Sequence, residues 1–341
     1  MRWKSTPPFS SANHFSLLNP QIAQIEVSVS WMSLFMKIVT YSLSSSGPPQ
    51  TTDYQEQLFH SVKSLRAYNR VVAIHVFVYG EHPRVFITGL EHEAATIHQM
   101  GFYEDAIRRI RPRAFRTLAR YPVLHKWMNF HRLAPFGPSQ ILQIDCDTYF
   151  FDDVEILFDA YADCHYYGRE EPSSRASHYG YDANYLDEDK LFALARLVGA
   201  APTNPYNIGV SMLNHGLWNE IAKRTSVLLD YVFRFVAGLA RNPETRGWLW
   251  PELAEVVMMD LLEQPDVSDL PFPSSNVWIL EQVALWLTLG HIPGLTHGRL
   301  SREHVMQGSE DECETKVVHH YFGMDKTAFL SARGSSVQIG G

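Results

Sequence analysis

The chain predicts an α/β fold, one domain with a mainly parallel central sheet flanked by helices, and three observations carry that prediction. Strand-like and helix-like patterns alternate, opening strand, loop, helix, strand over residues 35–80, the order that builds a mainly parallel sheet. No internal repeat, low-complexity tract or linker divides the stretch 36–330. The 341 residues are 45% hydrophobic and 13% aromatic, ample for one large core.

In order, FMKIVTYSL (35–43) is apolar and rich in β-branched residues, a buried strand, and SSSGPPQTTD after it has loop composition. DYQEQLFHSVKSLRAYN (53–69) sets Leu58, Val62 and Leu65 at helical spacing, and RVVAIHVFVYG (70–80) is the second strand. A helical stretch is expected over roughly 91–133. ILQID (141–145) is a strand, VEILFDAY (154–161) the helix after it, and ADCHYYG (162–168) a further strand. Asp152 and Asp153 would charge or cap that helix's N-terminus. REEPSSRASHYGYDANYLDED (169–189) is polar and long enough for a functional flap. PYNIGVSMLN (205–214) is a strand and GLWNEIAKRTSVLLDYVFRFVAGLA (216–240) an amphipathic helix. The proline-containing stretch 241–277 is the least regular, WILEQVALWLTLG (278–290) returns to helix, and KVVHHYFG (316–323) to strand. Residues 1–35 read as a poorly structured extension, broken by Pro, Asn, Gln and Glu26 and so neither signal peptide nor anchor, and 331–341 as a tail.

Net charge of −8 disfavours a nucleic-acid role through phosphate neutralisation. The local exception is AIRRIRPRAFRTLAR, with arginines from Arg108 to Arg120. It is either a solvated helical face or a surface for an anionic acceptor or lipid headgroups, a peripheral membrane contact. No apolar run reaches 18 residues, so no transmembrane segment is expected. Cys146, Cys164 and Cys313 are odd in number and lack metal spacing, which fits a reducing, cytoplasmic setting.

ILQIDCDTYFFDD (141–153) carries the chemistry. Ligands of open α/β sheets bind beyond the carboxyl ends of strands. The period of two puts Asp145 and Asp147 on one side of such an end. Crowded carboxylates need a proton or a cation, and hard oxygen donors select Mg²⁺, Mn²⁺ or Ca²⁺. The pair is thus a metal clamp or an ordinary acidic turn.

Three more stretches bear on that choice. VVHHYFGMDK holds His320, Gly323 and Lys326 as HxxGxxK; PYNIGVSMLN has Asn207 and Gly209 as N-x-G; ILEQVAL carries Glu281 and Gln282 at a helix start. With the Asp-x-Asp, and in this order over roughly 36–330, the set resembles the retaining nucleotide-sugar glycosyltransferases of family 8, the glycogenin and bacterial lipopolysaccharide galactosyltransferase type. The resemblance implies a GT-A-type, Rossmann-like domain that moves a sugar from a nucleoside-diphosphate sugar, a UDP-sugar, to an acceptor. It implies Mn²⁺ or Mg²⁺ held by Asp145, Asp147 and His320, with Gly323 and Lys326 at the diphosphate. An imidazole beside carboxylates suits Mn²⁺ better than a harder ion. Gln282 matches a glutamine near the sugar's reacting face. Glu281 departs from the family's aspartate, and an acid there also suits the general base of an inverting enzyme. Thr40 and Ser42, in a first strand that lacks the usual acidic and asparagine contacts, join Asn207 and Gly209 as expected donor contacts. Lys126 reaches the donor phosphates or is a surface cation. The acceptor, whether glycan, lipid-linked or protein, is not specified by the sequence, and 168–189 with 241–277 would build its pocket.

Simpler readings stand beside these. His319 and His320 could be strand histidines, Asn207 and Gly209 turn chemistry, and Gln282 a helix-start residue. Trp248, Trp250, Trp278 and Trp286 are expected in the core rather than as sugar platforms. One rival function is a binding module that keeps the nucleotide-sugar site without turnover. The other is an aspartate-nucleophile phosphatase, whose pattern wants Thr or Val where Tyr149 stands.

Overall fold

Lys37–Ser44 forms β1 at the centre of a seven-stranded sheet of order β3-β2-β1-β4-β7-β6-β8. The structure, a computed structural model, describes residues 36–44, 51–100, 125–171, 186–308, 310 and 313–321. The other strands are β2 Ala73–Tyr79, β3 Ala95–Met100, β4 Gln140–Ile144, β5 Thr148–Phe150, β6 Tyr166–Glu170, β7 Tyr206–Asn214, β8 His297–Arg299, β9 Val305–Gln307 and β10 Val318–His320. Neighbours pair in parallel except that β7 runs antiparallel to both β4 and β6. The chain steps outward from β1 through β2 to β3, then returns to place β4 on the other side of β1. That reversal falls at the carboxyl ends of β1 and β4, the place where doubly wound sheets take their ligands.

The alternation of β1 and β4 separates two apolar layers. Ile38 and Ile141 join a layer with helices α5 (Glu188–Leu197), α7 (Thr225–Arg241), α9 (Pro251–Glu263) and α10 (Leu280–Leu289). Val39, Tyr41, Leu142 and Ile144 join the opposite layer with α1 (Thr51–Tyr68). Strands covered on both faces need near-continuous apolar sequence, as KIVTYSLS and QILQI supply. The remaining helices are α2 Arg84–His92, α3 His125–Met128, α4 Glu155–Ala160, α6 Leu217–Lys223 and α8 Pro243–Arg246. No helix among the described residues is long and apolar enough to cross a membrane.

A second, three-stranded sheet decides the site. β10 pairs antiparallel with β5, aligning His320 with Thr148, and parallel with β9.

Several elements depart from the sequence reading. Within the expected helical stretch 91–133, Ala95–Met100 is a strand. Its polar sequence, ATIHQM, is set by backbone pairing to β2 at the sheet edge rather than by propensity. The expected helix 216–240 is two helices, α6 and α7, parted at Arg224. The stretch 241–277 contains thirteen-residue α9, with Pro251 in its first turn, where a missing N–H costs nothing. Asp153 does serve the start of α4, accepting the Glu155 N–H at 2.9 Å. The segment 1–35, the arginines 108–120, most of the polar stretch 169–189, Gly323, Lys326 and the tail 331–341 lie outside the described residues.

Candidate active site

Asp145 follows β4 directly, at the point between β1 and β4 where the strand order reverses. Its N–H donates to the Gly209 carbonyl at 2.8 Å, and its carbonyl accepts from Thr148 Oγ1 at 2.8 Å. The turn through Cys146 is pinned from below, with Cys146 Sγ donating to the Ser42 carbonyl at 3.5 Å. Cys146 is buried, so its small side chain is a packing residue, while Asp145 is half-buried and Asp147 buried.

The β5–β10 ladder carries His320 to this turn, and the Tyr321 N–H donates to the Asp147 carbonyl at 2.8 Å. His320 Nε2 lies 3.4 Å from Asp147 Oδ1 and 3.7 Å from Asp145 Oδ2. One ligand atom from each of the three residues lies within 4.8 Å of the other two. The imidazole is packed against Gly209: a Cβ there would sit 1.9 Å from His320 Cε1. Gly209 is thus a glycine because the histidine ring occupies the space of its side chain.

Lys126 arrives on α3 and is not a surface cation. Its Nζ lies 2.6 Å from Asp145 Oδ1 and 3.4 Å from Glu281 Oε1. Trp127, next along α3, donates its indole N–H to the same Glu281 oxygen at 3.3 Å. Burial, against the pull of Lys126, pushes the Glu281 carboxyl up to about 8. His320 is buried, which favours its neutral form, yet the charges of Asp147 and Asp145 outweigh that and hold it above the ordinary imidazole range.

Gln282 ties the start of α10 to β7 and to the residue after β6. Its Oε1 accepts the Ile208 N–H of β7 at 3.1 Å, which fixes the amide, and its side chain hydrogen-bonds Glu171. Asn207 Oδ1 accepts the Gly209 N–H at 2.9 Å and its Nδ2 lies 3.5 Å from Glu171 Oε2. Glu171 is the member that sequence reasoning missed. It is 2% exposed, and burial raises its carboxyl to about 7 against the Gln282 and Asn207 hydrogen bonds. The one signal for it was an acidic pair closing β6 before a polar stretch.

The structure therefore brings together Asp145, Asp147, His320, Lys126, Glu281, Gln282, Asn207 and Gly209. Ser42 is beside them at the end of β1, its Oγ accepting from Asn129 Nδ2 at 3.2 Å. Thr40 is not among them: it is fully buried, and its hydroxyl donates to Gln143 Oε1 at 2.8 Å within the core.

The donor set fits a divalent ion. Two donors each about 2.1 Å from one ion lie at most about 4.2 Å apart, and the His320–carboxylate separations of 3.4 and 3.7 Å satisfy that. Two carboxylates and an imidazole suit a borderline ion such as Mn²⁺. Lys126 also sets a positive charge against Asp145.

No family model matches the chain, and no curated protein matches its sequence. Among solved structures it is similar to the galactosyltransferase LgtC in complex with donor and acceptor sugar analogs, at 15% identity and a TM-score of 0.44, over 88% of this chain and 96% of that one. It is similar to mouse xyloside xylosyltransferase 1 at 11% identity and a TM-score of 0.41, over 84% of this chain and 97% of that one. A glycosyltransferase of Streptococcus pneumoniae, GlyE, matches at 11% identity and a TM-score of 0.42, over 89% of this chain and 64% of that one. These likenesses are distant.

Proposed function

We propose that the protein is a metal-dependent glycosyltransferase of the GT-A type, moving a sugar from a nucleoside-diphosphate sugar, a UDP-sugar, to an acceptor with retention, as its motifs resemble family 8. The observation that carries the reading is the convergence of Asp145, Asp147 and His320 at the point where the strand order reverses. The catalytic unit spans 36–330, and the three unpaired cysteines support a reducing, cytoplasmic setting.

Asp145, Asp147 and His320 would hold Mn²⁺, or Mg²⁺. When bound, the ion supplies positive charge beside the diphosphate on which negative charge grows as the glycosidic bond breaks. Lys126 contributes a second positive charge, held in the same wall by Asp145 and Glu281. Gly323 and Lys326 belong to this diphosphate subsite on the strength of the HxxGxxK pattern. Gln282, its amide fixed by Ile208, and Asn207 and Glu171 beside it form the wall for the transferred sugar. In transfer with retention, the bond from the sugar's anomeric carbon to the diphosphate oxygen breaks, and the acceptor oxygen bonds that carbon on the same face. The acceptor's proton passes to the departing oxygen, so no protein base is required.

The second reading, inversion with Glu281 as base, is favoured by one observation: burial gives Glu281 a proton affinity near neutrality, suited to a general base. Release of UDP from a panel of UDP-sugars, with Mn²⁺ and with chelator, tests the transferase. Mn²⁺-dependent release supports it. Binding without release favours the non-catalytic module, and a trapped aspartyl-phosphate the phosphatase. Peripheral contact of the Arg108–Arg120 segment with an anionic surface belongs to the same proposal.

A further inference from the structure

Three hydroxyls lead through the interior to the Asp-x-Asp turn. Tyr41 Oη, on β1, is 2.8 Å from Ser61 Oγ, on α1. Ser61 Oγ is 2.8 Å from Thr148 Oγ1, on β5, and Thr148 Oγ1 is 2.8 Å from the Asp145 carbonyl oxygen. All three residues are fully buried. A carbonyl accepts and never donates, so Thr148 gives its only proton to Asp145. Thr148 must then accept from Ser61, and Ser61, its own proton committed, must accept from Tyr41. The run therefore has one direction, Tyr41 to Ser61 to Thr148 to Asp145, in which each donor polarises the next.

Packing does not require these hydroxyls. Phe, Ala and Val would fill nearly the same space, and replacing hydrogen-bonded partners by apolar groups of one shape is often close to neutral. Satisfying the Asp145 carbonyl needs Thr148 alone. The two further links carry the constraint on to α1 and to β1, the central strand. With the Asp145 N–H held by the Gly209 carbonyl at 2.8 Å, both polar groups of its backbone are tied to the sheets. The turn so held is the one where Asp145 and Asp147 crowd each other beside His320. Repelling carboxylates spread apart unless something fixes them, and a working site holds its groups to within about 0.5 Å.

We propose that Tyr41, Ser61 and Thr148 are positioning residues, a one-way hydrogen-bond relay that sets Asp145 for the metal ion. The inference rests on the metal-dependent reading above and adds residues outside the donor set. Ser64 supplies the comparison. One turn further along α1, its Oγ accepts the Phe150 N–H at 2.9 Å and donates to the Ser61 carbonyl at 2.7 Å, tying α1 to β5 without reaching Asp145. The test is titration of Mn²⁺ into the 341-residue chain with UDP present, read by the paramagnetic resonance of free Mn²⁺, beside urea unfolding without metal. Mn²⁺ affinity should be about tenfold weaker in Thr148→Val and in Ser61→Ala, and within about twofold of wild type in Thr148→Ser. Ser64→Ala should lose stability yet keep Mn²⁺ affinity within about twofold of wild type. Wild-type affinity in Thr148→Val and Ser61→Ala overturns the proposal and leaves the metal reading intact. Equal weakening in Ser64→Ala, or no recovery in Thr148→Ser, also overturns it, because affinity would then follow stability rather than the relay. If Thr148→Val does not fold, Ser61→Ala against Ser64→Ala decides by the same criteria. A wild type that takes up no Mn²⁺ overturns the metal reading and this inference together.

Discussion

Glu281→Gln removes a buried acid while keeping its shape, and the consequence depends on pH in a calculable way. The native carboxyl is raised from an ordinary 4.5 to about 8, chiefly by burial. A carboxyl with a raised native pKa keeps its proton in the folded state while the unfolded chain gives it up. Wild-type stability therefore falls as pH rises from about 4.5 to about 8, by about 1.4 kcal/mol per pH unit. At pH 7 the window spans about 2.5 units, so glutamine should be more stabilising than glutamate by about 3 kcal/mol, falling to under about 1 kcal/mol at pH 5. The raised carboxyl of Glu171 adds a similar slope to both proteins and cancels in the difference. Urea unfolding of both proteins, without metal and at half-unit steps from pH 5 to pH 8, reads the effect directly. Parallel curves would refute the buried, protonated Glu281 and with it the partition in which Lys126 serves Asp145 first. Activity of the same variant separates the two stereochemical readings. Retention predicts a modest loss, whereas a general base at Glu281 predicts about 10²–10⁴-fold in turnover.

Three other outcomes follow from the geometry. Asp147→Asn should abolish turnover and metal-dependent nucleotide binding with the fold intact, so a cooperative melt beside full activity would count against the metal assignment. Gly209→Ala forces a Cβ to within 1.9 Å of the buried His320 ring. It should cost about 3 kcal/mol of stability and eliminate metal binding, checked by denaturation and by Mn²⁺ titration. His320 is held above the ordinary imidazole range in the metal-free protein by Asp147 and Asp145, and a ligand must be neutral. The His320⁺–carboxylate contribution to stability is present below pH 6.5 and is lost as pH rises through the raised native value. Mn²⁺ affinity should accordingly increase with pH, with proton release visible as a buffer-dependent heat in calorimetry; heats independent of the buffer would contradict it.

The parts of the fold legible in the sequence are those with a local cause. KIVTYSLS and QILQI are strands because two covered faces demand apolar residues on both, and Asp145 and Asp147 were readable as a pair because a strand end sets their common side. β3 was not legible, since its polar residues owe their strand to a neighbour's free edge rather than to themselves. α9 was hidden by Pro251, which reads as a breaker yet is at home in a first helical turn. In the site, the neighbourhood of His320 and Asp147 is created by the β5–β10 ladder, a long-range pairing with no local signature, and only the ordered motif set pointed to it. The link from Lys126 to Asp145, the burial of Glu171 and the exposure of Trp278 are products of tertiary packing. No spacing rule contains them. Of the four tryptophans expected in the core, Trp286 is there, while Trp248 and Trp278 are exposed.

The central claim is that Asp145, Asp147 and His320 bind a metal-associated nucleotide sugar, and a thermal-shift panel tests it most directly. The 341-residue chain is melted with UDP-glucose, UDP-galactose, UDP-xylose, UDP-N-acetylglucosamine and GDP-mannose, each with Mn²⁺ and with chelator. A ligand at a hundred times its dissociation constant adds about 2.7 kcal/mol to the folded state. The account predicts a raised melting temperature with at least one UDP-sugar when Mn²⁺ is present, lost on chelation and absent in Asp147→Asn. No shift with any nucleotide sugar in the presence of Mn²⁺, or a full shift in Asp147→Asn, would contradict it.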